Sequence, residues 1–307
     1  MIRYFTLVIL FCACFVQADW REKIATCPVC LKQTAFLQPA SFSNEIYMRP
    51  SRFQYVFWPF TDTRSIYCCQ KCSYSTFSWH FHALPANKLI AVTDALKEMN
   101  HDLSKYEDYT AIPISTRMRI AEKVYEVWGL GHDHFWAEFY RTKAYHLEKE
   151  ADNSKNKKKA LERKQPQVLE KRKHPGATRS ILSAVFYPVL KFLITQQTKD
   201  FLQHYRHQQM SEEQDILYKE ATEDRKKALA IAEEVLKQPQ QDFFPHKECY
   251  FIAGAMSYLI KDYKKAKKHF NDGLKIDYTT KQMSAEEAQE YNKYLNKLLQ
   301  EYLKKLE

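Results

Sequence analysis

Glycine is scarce in this sequence, which has only five in 307 residues. Phosphate-binding loops depend on glycine, because their backbone must approach the ligand closely and adopt positive φ angles. The sequence contains no Gly-x-x-x-x-Gly-Lys loop and no dinucleotide-binding glycine pattern. It also lacks the His-Glu-x-x-His and Gly-x-Ser-x-Gly motifs of metalloproteases and serine hydrolases. The residues identify no small-molecule substrate, and we predict that the protein is not an enzyme.

Apolar runs long enough to span a bilayer are also missing. A transmembrane helix requires about 20 consecutive apolar residues. Residues 5–16 form a shorter run that ends in small residues, which is typical of a secretory signal peptide over residues 1–18. Two alternatives stay open: an anchor that is never cleaved, and a lipoprotein signal with Cys12 or Cys14 as the lipid acceptor. We therefore expect export to the periplasm or the extracellular space, with a lipid anchor in the lipoprotein case.

Acidic residues are fewer than basic ones, 37 Asp or Glu against 47 Lys or Arg, and the formal net charge is +10. Residues 149–179 hold eleven Lys or Arg against four Asp or Glu, and we interpret about 150–179 as a basic insertion. An exported chain rarely meets nucleic acid, so no nucleic-acid partner is expected. One hypothesis is that residues 149–194 attach to an anionic membrane surface, with the apolar stretch 181–194 as an interfacial helix. The alternatives are a solvated charged loop and a buried core helix.

Cysteines give the clearest chemical signal. Cys27 and Cys30 form one Cys-x-x-Cys pair, and Cys69 and Cys72 form another. Two intervening residues let both thiolates of a pair face one point, and two pairs supply the four tetrahedral sulfurs of a structural Zn²⁺ site. Cys68 does not have this spacing and must point elsewhere. A closed four-sulfur site stabilises a fold and leaves no open coordination position for catalysis.

Two alternatives for the cysteines follow from export, because oxidising compartments favour disulfides. In one, the same cysteines form disulfides. In the other, Cys69 and Cys72 act as a thiol-disulfide redox pair, with Cys68 as a resolving thiol. The surrounding residues 19–85 are rich in aromatic residues and poor in aliphatic ones. This composition predicts a small zinc-ribbon-like β module that needs a metal or a disulfide to stabilise it.

From residue 86 to residue 307, apolar residues recur at helical spacing, and the basic insertion interrupts this region. The stretches "RKKALAIAEEVLKQP" and "YKKAKKHFNDGLKID" align, so that Ala228 matches Ala266 and Ala232 matches Phe270. Gly254 lies where the paired helices of a tetratricopeptide repeat (TPR) approach each other closely. These features predict TPR-like helices over this region.

The C-terminal stretch "SAEEAQEYNKYLNKLLQEYL" predicts a final helix that covers the end of the repeats. Ser284 and Glu287 have the spacing of a capping box. A single apolar stripe is predicted along this helix, made of Ala288, Tyr291, Leu295, Leu298 and Tyr302. The fold class that follows is α+β, mainly α, with a zinc-ribbon-like β module ahead of an α-helical TPR-like scaffold.

The order of these motifs resembles that of a bacterial family. "CPVC" is followed by Ser51-Arg52, by Asp62 and by "CQKCSYSTF", and then by "IPISTRMRIAEKVYE" and "FWAEFYRTKAYH". This order, over about residues 24–150, is similar to that of the family called domain of unknown function 2225. The resemblance implies a paired Cys-x-x-Cys module ahead of TPR-like helices, and it implies no particular activity.

The same resemblance implies roles for individual residues. It makes Cys27, Cys30, Cys69 and Cys72 the metal ligands and packs Tyr74 beside the second pair. Ser73 stands where the family usually has glycine, so the turn after Cys72 is expected to form without easy access to positive φ.

Taken together, the residues predict an exported, non-enzymatic protein-interaction scaffold. A structural four-cysteine zinc site stabilises its first part, and TPR-like helices bind a peptide or protein partner on their concave face. The alternatives are a thiol-disulfide oxidoreductase that uses Cys69 and Cys72, and a protein attached to a membrane surface.

Overall fold

A computed structural model of the protein describes residues 19–41, 61–163, 211–240, 242, 244–281 and 283–307. The fold is mainly helical, with a small antiparallel strand region near the N-terminus, which confirms the α+β, mainly α, class. The chain divides into two compact units. Met1–Ile112 with Arg117–Leu130 form the first, and Pro113–Thr116 with Gly131–Glu307 form the second. The predicted signal peptide lies outside the described residues.

The first unit contains two antiparallel hairpins. Strand β1 (Asp19–Thr26) pairs with β2 (Gln33–Ser41), and Ile24 lies opposite Ala35. Strand β3 (Ile66–Cys68) pairs with β4 (Ser75–Phe77), and Ile66 lies opposite Phe77. The connection within each hairpin contains one Cys-x-x-Cys pair, so the hairpins carry the cysteines at their tips.

Aromatic side chains fill the space beneath the hairpins. Phe36 of β2 stacks on Tyr67 of β3 with ring centroids 4.2 Å apart. Phe81 and Tyr109 each meet Phe36 edge-on at 4.9 Å. Stacked and edge-to-face pairs are the favourable arrangements for aromatic rings, because they align the positive ring edges with the negative faces.

Two helices complete this core. Helix α1 (Leu89–Met99) contributes Val92 and Leu96, and helix α2 (Ile114–Trp128) contributes Ile120 and Val124. The compact first unit extends past residue 85 to include α1 and most of α2, whose side chains pack in the same cluster as the aromatic layer.

A buried arginine joins α2 to the second hairpin. Arg117 is 2% exposed and donates hydrogen bonds to the carbonyl oxygens of Ile112 at 3.1 Å, Thr63 at 2.6 Å and Ile66 at 2.9 Å. A planar guanidinium carries five donors in a fixed arrangement, so it can satisfy three backbone acceptors at once. These bonds hold the turn that leads into β3.

The second unit is helical. Its helices are α3 (Asp133–Arg163), α4 (residues 211–235), α5 (His246–Leu259), α6 (Tyr263–Leu274) and α7 (Ala285–Lys304). Small and aliphatic residues of α3 and α4 form one buried cluster. Beside it, the buried Lys143 lies 3.0 Å from Glu220 and 3.2 Å from Asp224. The ion pairs therefore fix which faces of α3 and α4 meet.

Helices α5 and α6 form a close antiparallel pair, connected by a turn in which Asp262 accepts a hydrogen bond from the N–H of Lys265 at 3.1 Å. Gly254 of α5 faces the Phe270 ring of α6 so closely that a Cβ at residue 254 would overlap it. Ala266 and Phe270 are both fully buried. The close approach predicted at Gly254 is present.

Helix α7 begins with the predicted capping box, in which Ser284 and Glu287 exchange side-chain and backbone hydrogen bonds. Of the predicted apolar stripe, Ala288, Tyr291 and Leu295 are buried, whereas Leu298 and Tyr302 are only partly buried, and the fully buried Leu299 was not predicted. Leu299 lies against Gly273, where the missing side chain leaves room for it. Both residues fit helical spacing after Leu295, so periodicity alone could not choose between them.

The first prediction concerns Gly254→Ala. In an exposed helix this change stabilises by about 1 kcal/mol, but here the added methyl group overlaps Phe270, and overpacking costs about 1–3 kcal/mol. We expect the free energy of unfolding in urea to fall. Asn271→Ala, at an exposed position of α6, is the control and should leave it within about 0.5 kcal/mol. A Gly254→Ala protein as stable as the wild type would contradict the close packing.

Candidate metal centre

The structure brings the four predicted ligands together. The sulfur atoms of Cys27, Cys30, Cys69 and Cys72 all lie within 4.8 Å of one another, and the four residues are free cysteines. The Cys27 and Cys72 sulfurs are 3.6 Å apart, and those of Cys30 and Cys69 are 3.5 Å apart. Four sulfurs at about 2.3 Å from a zinc ion form a tetrahedron with edges of about 3.8 Å, whereas a disulfide requires about 2.05 Å. The spacing therefore fits a metal site.

Both cysteine turns use the same backbone hydrogen bonds. In the first turn, the N–H of Leu31 donates to the Cys27 carbonyl at 2.9 Å, and the N–H of Cys27 donates to Lys32 at 2.9 Å. In the second turn, the N–H of Ser73 donates to the Cys69 carbonyl at 2.8 Å, and the N–H of Cys69 donates to Tyr74 at 2.9 Å. Each turn thus folds into the same loop and presents its two sulfurs on one side.

This loop requires a positive φ at the residue after the second cysteine. Leu31 has φ 61° and Ser73 has φ 62°. Ser73 lacks the easy access to positive φ that glycine has, as the sequence indicated, and it adopts the left-handed conformation nevertheless. That conformation costs a residue with a side chain about 1–2 kcal/mol. The Ser73 hydroxyl also donates to the carbonyl of His101 at 3.1 Å, a bond that glycine could not make.

The electrostatics of the cluster favour binding of a cation. Hydrogen bonds from the thiols of Cys27 and Cys72 lower the pKa of Cys69, because they stabilise its thiolate, and the backbone N–H groups of Cys72 and Lys71 act in the same direction. The pKa values of Cys27 and Cys72 are raised, because each thiol hydrogen bonds to a neighbouring sulfur. Four thiolates this close together repel one another, and a divalent cation at their centre removes that repulsion.

Cys68 lies outside the sulfur cluster, as the spacing predicted. It belongs to β3, is fully buried, and donates a weak hydrogen bond to the Ser73 carbonyl at 3.9 Å. Burial raises the pKa of its thiol to about 12. Cys68 is therefore protonated at neutral pH, and it is held as a packing residue beneath the second turn.

The loop after α1 supports the second turn. The Gln70 side chain donates to the Tyr106 carbonyl at 2.7 Å, in addition to the bond between Ser73 and His101. Tyr74 is fully buried and packs against Phe81 with ring centroids 5.4 Å apart. Tyr74 was expected beside the second pair of cysteines. The contacts of Gln70 and Ser73 were not predicted, because polar residues in a turn do not reveal in sequence which distant carbonyl they meet.

His80 is the histidine nearest to the cysteines in sequence, and it is not one of the candidate metal ligands. The Nδ1 atom of His80 lies 3.1 Å from the hydroxyl of Tyr125, which accepts the N–H of Phe77 at 2.8 Å. Burial lowers the pKa of His80 to about 4, so it is neutral at physiological pH. Within the described ranges, the four cysteines form the only group of three or more candidate ligands within reach of one ion.

No family model, curated protein or solved structure matches this chain.

The second prediction tests the positive φ that follows a cysteine pair, and it uses Leu31, the residue after Cys30. The Leu31 side chain is 75% exposed, so its removal loses little packing. Leu31→Gly removes the cost of the left-handed conformation, and we expect the metal-bound protein to be as stable as the wild type or up to about 1 kcal/mol more stable. The control is Ile24→Gly in β1, also exposed at 67% but in an extended strand. There glycine should cost about 1 kcal/mol. Equal losses in both variants, measured by thermal unfolding, would contradict this assignment.

Proposed function

We propose that the protein is an exported, non-enzymatic interaction scaffold, in which a structural four-cysteine zinc site stabilises the first unit and TPR-like helices of the second unit bind a peptide or protein. The observation that carries this proposal is the cluster of four sulfurs at tetrahedral spacing. Protein sulfurs would fill every coordination position of a zinc ion there, so the ion would cross-link the two hairpins and would have no open position for a substrate.

The choice of zinc rests on ligand chemistry. Four thiolates in a tetrahedral arrangement suit Zn²⁺ or an iron site, and hard cations such as Mg²⁺ and Ca²⁺ prefer oxygen ligands. Nothing in the described residues supplies an oxygen-rich group of ligands. Zinc would contribute folding energy directly, because an isolated two-stranded hairpin is marginally stable at best.

The TPR-like interpretation is supported by packing in the second unit. Ala228 and Ala232 of α4 and Ala266 and Phe270 of α6, which align in the sequence, are all fully buried. Gly254 allows the close approach of α5 and α6. Helix α7 packs its apolar stripe against this pair, as a terminal helix of a short repeat array would. The resemblance to the family called domain of unknown function 2225 stays part of this proposal.

The alternative of a thiol-disulfide oxidoreductase has less support. Reactive cysteines of redox Cys-x-x-Cys motifs are accessible and commonly open a helix, whose N-terminus stabilises the thiolate. Cys69 is fully buried and follows strand β3, and the predicted resolving residue Cys68 is held protonated by burial. We therefore favour a structural role for the pair.

Export and membrane attachment rest on the sequence alone. The signal peptide at residues 1–18 and the apolar stretch at 181–194 lie outside the described residues, as does the basic insertion beyond residue 163. No helix in the described part of the chain combines the length and the apolar content needed to cross a bilayer.

The third prediction tests the metal. On one sample, purified without added metal, bound zinc and reactive thiols are measured before and after chelation in denaturant. We expect one zinc ion per chain and about six newly reactive thiols after chelation in denaturant, because four thiolates are protected by the metal and the free thiols of Cys68 and Cys249 are buried in the fold. Absence of zinc, with few reactive thiols even after unfolding, would mean that the cysteines form disulfides and would contradict the proposal.

Adjacent cysteines provide a matched control for this experiment. Cys69→Ser removes a ligand, and we expect the loss of most bound zinc and unfolding of the first unit. Cys68→Ser alters the neighbouring buried sulfur but leaves all four ligands in place, so it should retain one zinc ion per chain. Equal zinc loss in both variants would argue against the assigned ligands.

The fourth prediction tests the scaffold function. The immobilised zinc-bound protein should retain a stoichiometric partner from an extract of its own cells, and it should show no insulin-reducing activity. A protein that retains no partner and reduces insulin, with the reduction lost in Cys69→Ser, would support the oxidoreductase alternative instead.

A further inference from the structure

Charged side chains are buried together where helices α3, α5 and α7 of the second unit meet. Arg141 of α3 is 2% exposed, and Glu248 of α5 is 7% exposed. The Cζ atom of Arg141 lies 5.9 Å from the centre of the Phe251 ring. Glu248 and Phe251 are three residues apart on α5, so they share one face of that helix, and Arg141 meets this face. From α7, the buried Tyr291 donates a hydrogen bond from its hydroxyl to Glu248.

Glu138 brings a second carboxylate to the same place. Glu138 and Arg141 are three residues apart on α3, which puts their side chains on one face of the helix. The Glu138 side chain keeps 21% of its surface exposed, but its Oε1 atom is shielded from solvent and lies 3.2 Å from Nε2 of His134. The His134 ring packs edge-on against the buried ring of Phe244, with centroids 4.8 Å apart. We name Glu138, Arg141 and Glu248 the buried charge cluster.

The other titratable groups near this cluster come from α3 and the residue before it, from α5, from α7 and from the segment between α6 and α7. They are His132, Asp133, His134, Cys249, Tyr278 and Tyr291. His132 and Asp133 are exposed. Burial raises the pKa of Cys249, Tyr278 and Tyr291 above their usual values, and it lowers the pKa of His134 to about 4. At neutral pH these last four groups are therefore uncharged.

The charges of the buried charge cluster do not balance. Within the described part of the chain, Arg141 is the only cation that acts on either carboxylate. Lys247, the neighbour of Glu248 in sequence, instead donates to the carbonyl of Ile276 at 2.6 Å. One guanidinium can neutralise one of the two carboxylates. A second ionised carboxylate with no cation of its own is so costly to bury that such a group takes up a proton instead.

The protonation of both carboxylates agrees with this count of charges. Burial raises the pKa of Glu138 to about 8, and the negative charge of Glu248 adds to this shift. Burial also raises the pKa of Glu248 to about 7, against the opposing effects of Arg141 and Tyr291. Because the two carboxylates act on each other, these values describe the pair and not either residue alone.

We propose that the buried charge cluster makes the second unit sensitive to pH. In the folded protein Glu138 and Glu248 share one proton beside Arg141. Loss of this proton above neutral pH leaves an uncompensated negative charge among α3, α5 and α7 and weakens their packing. The inference goes beyond the proposed scaffold function and does not depend on it.

The direction of the pH effect follows from the folded and unfolded states. An unfolded glutamate has a pKa of about 4.3, so between this pH and about 8 the folded cluster holds a proton that the unfolded chain has released. Stability therefore falls as the pH rises through this range, and it levels off once the folded cluster has lost its proton. The lowered pKa of His134 acts in the opposite direction, but only below about pH 6.5, where an unfolded histidine takes up a proton.

The fifth prediction is that the equilibrium constant for unfolding rises between about pH 6.5 and about pH 8.5. Urea unfolding of the full zinc-bound protein is followed by far-ultraviolet circular dichroism, which reports on the helices. One proton that only the folded state binds raises this constant up to about 10-fold per pH unit. For the wild type we expect a rise of at least about 10-fold over the whole range. Cysteines also titrate near its upper end, so the rise is compared between matched variants.

Glu138→Gln and Glu248→Gln each replace one carboxyl group of the cluster by a neutral amide of similar shape. Arg141 then neutralises the carboxylate that remains, and we expect either variant to lose most of the rise in the unfolding constant. Glu213→Gln, at an exposed position of α4, changes the net charge equally and should keep the wild-type rise within about 2-fold. Since there are two cluster variants, a folding failure of one leaves the other to decide.

Three results would overturn the inference. One is a wild-type unfolding constant that does not rise between about pH 6.5 and about pH 8.5. Another is the full wild-type rise in both Glu138→Gln and Glu248→Gln, which would show that the cluster holds no proton. The third is loss of the rise in Glu213→Gln to the same extent, because it would trace the pH dependence to net charge and not to the buried charge cluster.

Discussion

The first unit depends on the convergence of four sulfurs contributed by two hairpins. Two-stranded hairpins are marginally stable on their own, and β3 and β4 contain only three residues each. The aromatic layer around Phe36 and Tyr67 adds apolar contact, and side chains of α1 and α2 pack against it. A metal ion held by one pair of sulfurs from each hairpin would fix their relative position, which the short ladders cannot do. The left-handed conformations of Leu31 and Ser73 are the local cost of directing each pair of sulfurs inward.

The second unit relies on helix packing. The packing of α5 against α6 is set by side-chain volume, because Gly254 leaves space for the ring of Phe270. At α3 and α4 the alignment is set by charge, because Lys143 and Asp224 are almost fully buried and form an ion pair at 3.2 Å. Breaking one partner of such a pair leaves an uncompensated buried charge, so these helices have one favoured alignment. The two units are thus stabilised by different interactions, ligand geometry in the first and shape and charge complementarity in the second.

The sequence predicted the features that depend on short spacing. The two Cys-x-x-Cys pairs, the exclusion of Cys68, the capping box at Ser284 and the close approach at Gly254 are each encoded within one turn or one helix. Features that depend on distant neighbours were missed or wrong. Periodicity could not choose between Leu298 and Leu299, because the answer depends on Gly273 of another helix. Likewise, Ser73 looked unsuited to its turn until the His101 carbonyl appeared beside it, and nothing near Arg117 in sequence indicates that it meets Thr63 and Ile66.

The separation of the two cysteine turns along the chain has an evolutionary consequence. The sulfurs of Cys30 and Cys69 meet although 39 positions separate them in sequence. Doubling the length of a flexible connection costs only about 0.6 kcal/mol of closure entropy, which is small compared with the energy that four thiolate ligands gain from a zinc ion. Length changes between the turns that leave β2 and β3 intact are therefore expected to cost little, whereas a single insertion inside either turn would move one sulfur away from the other three.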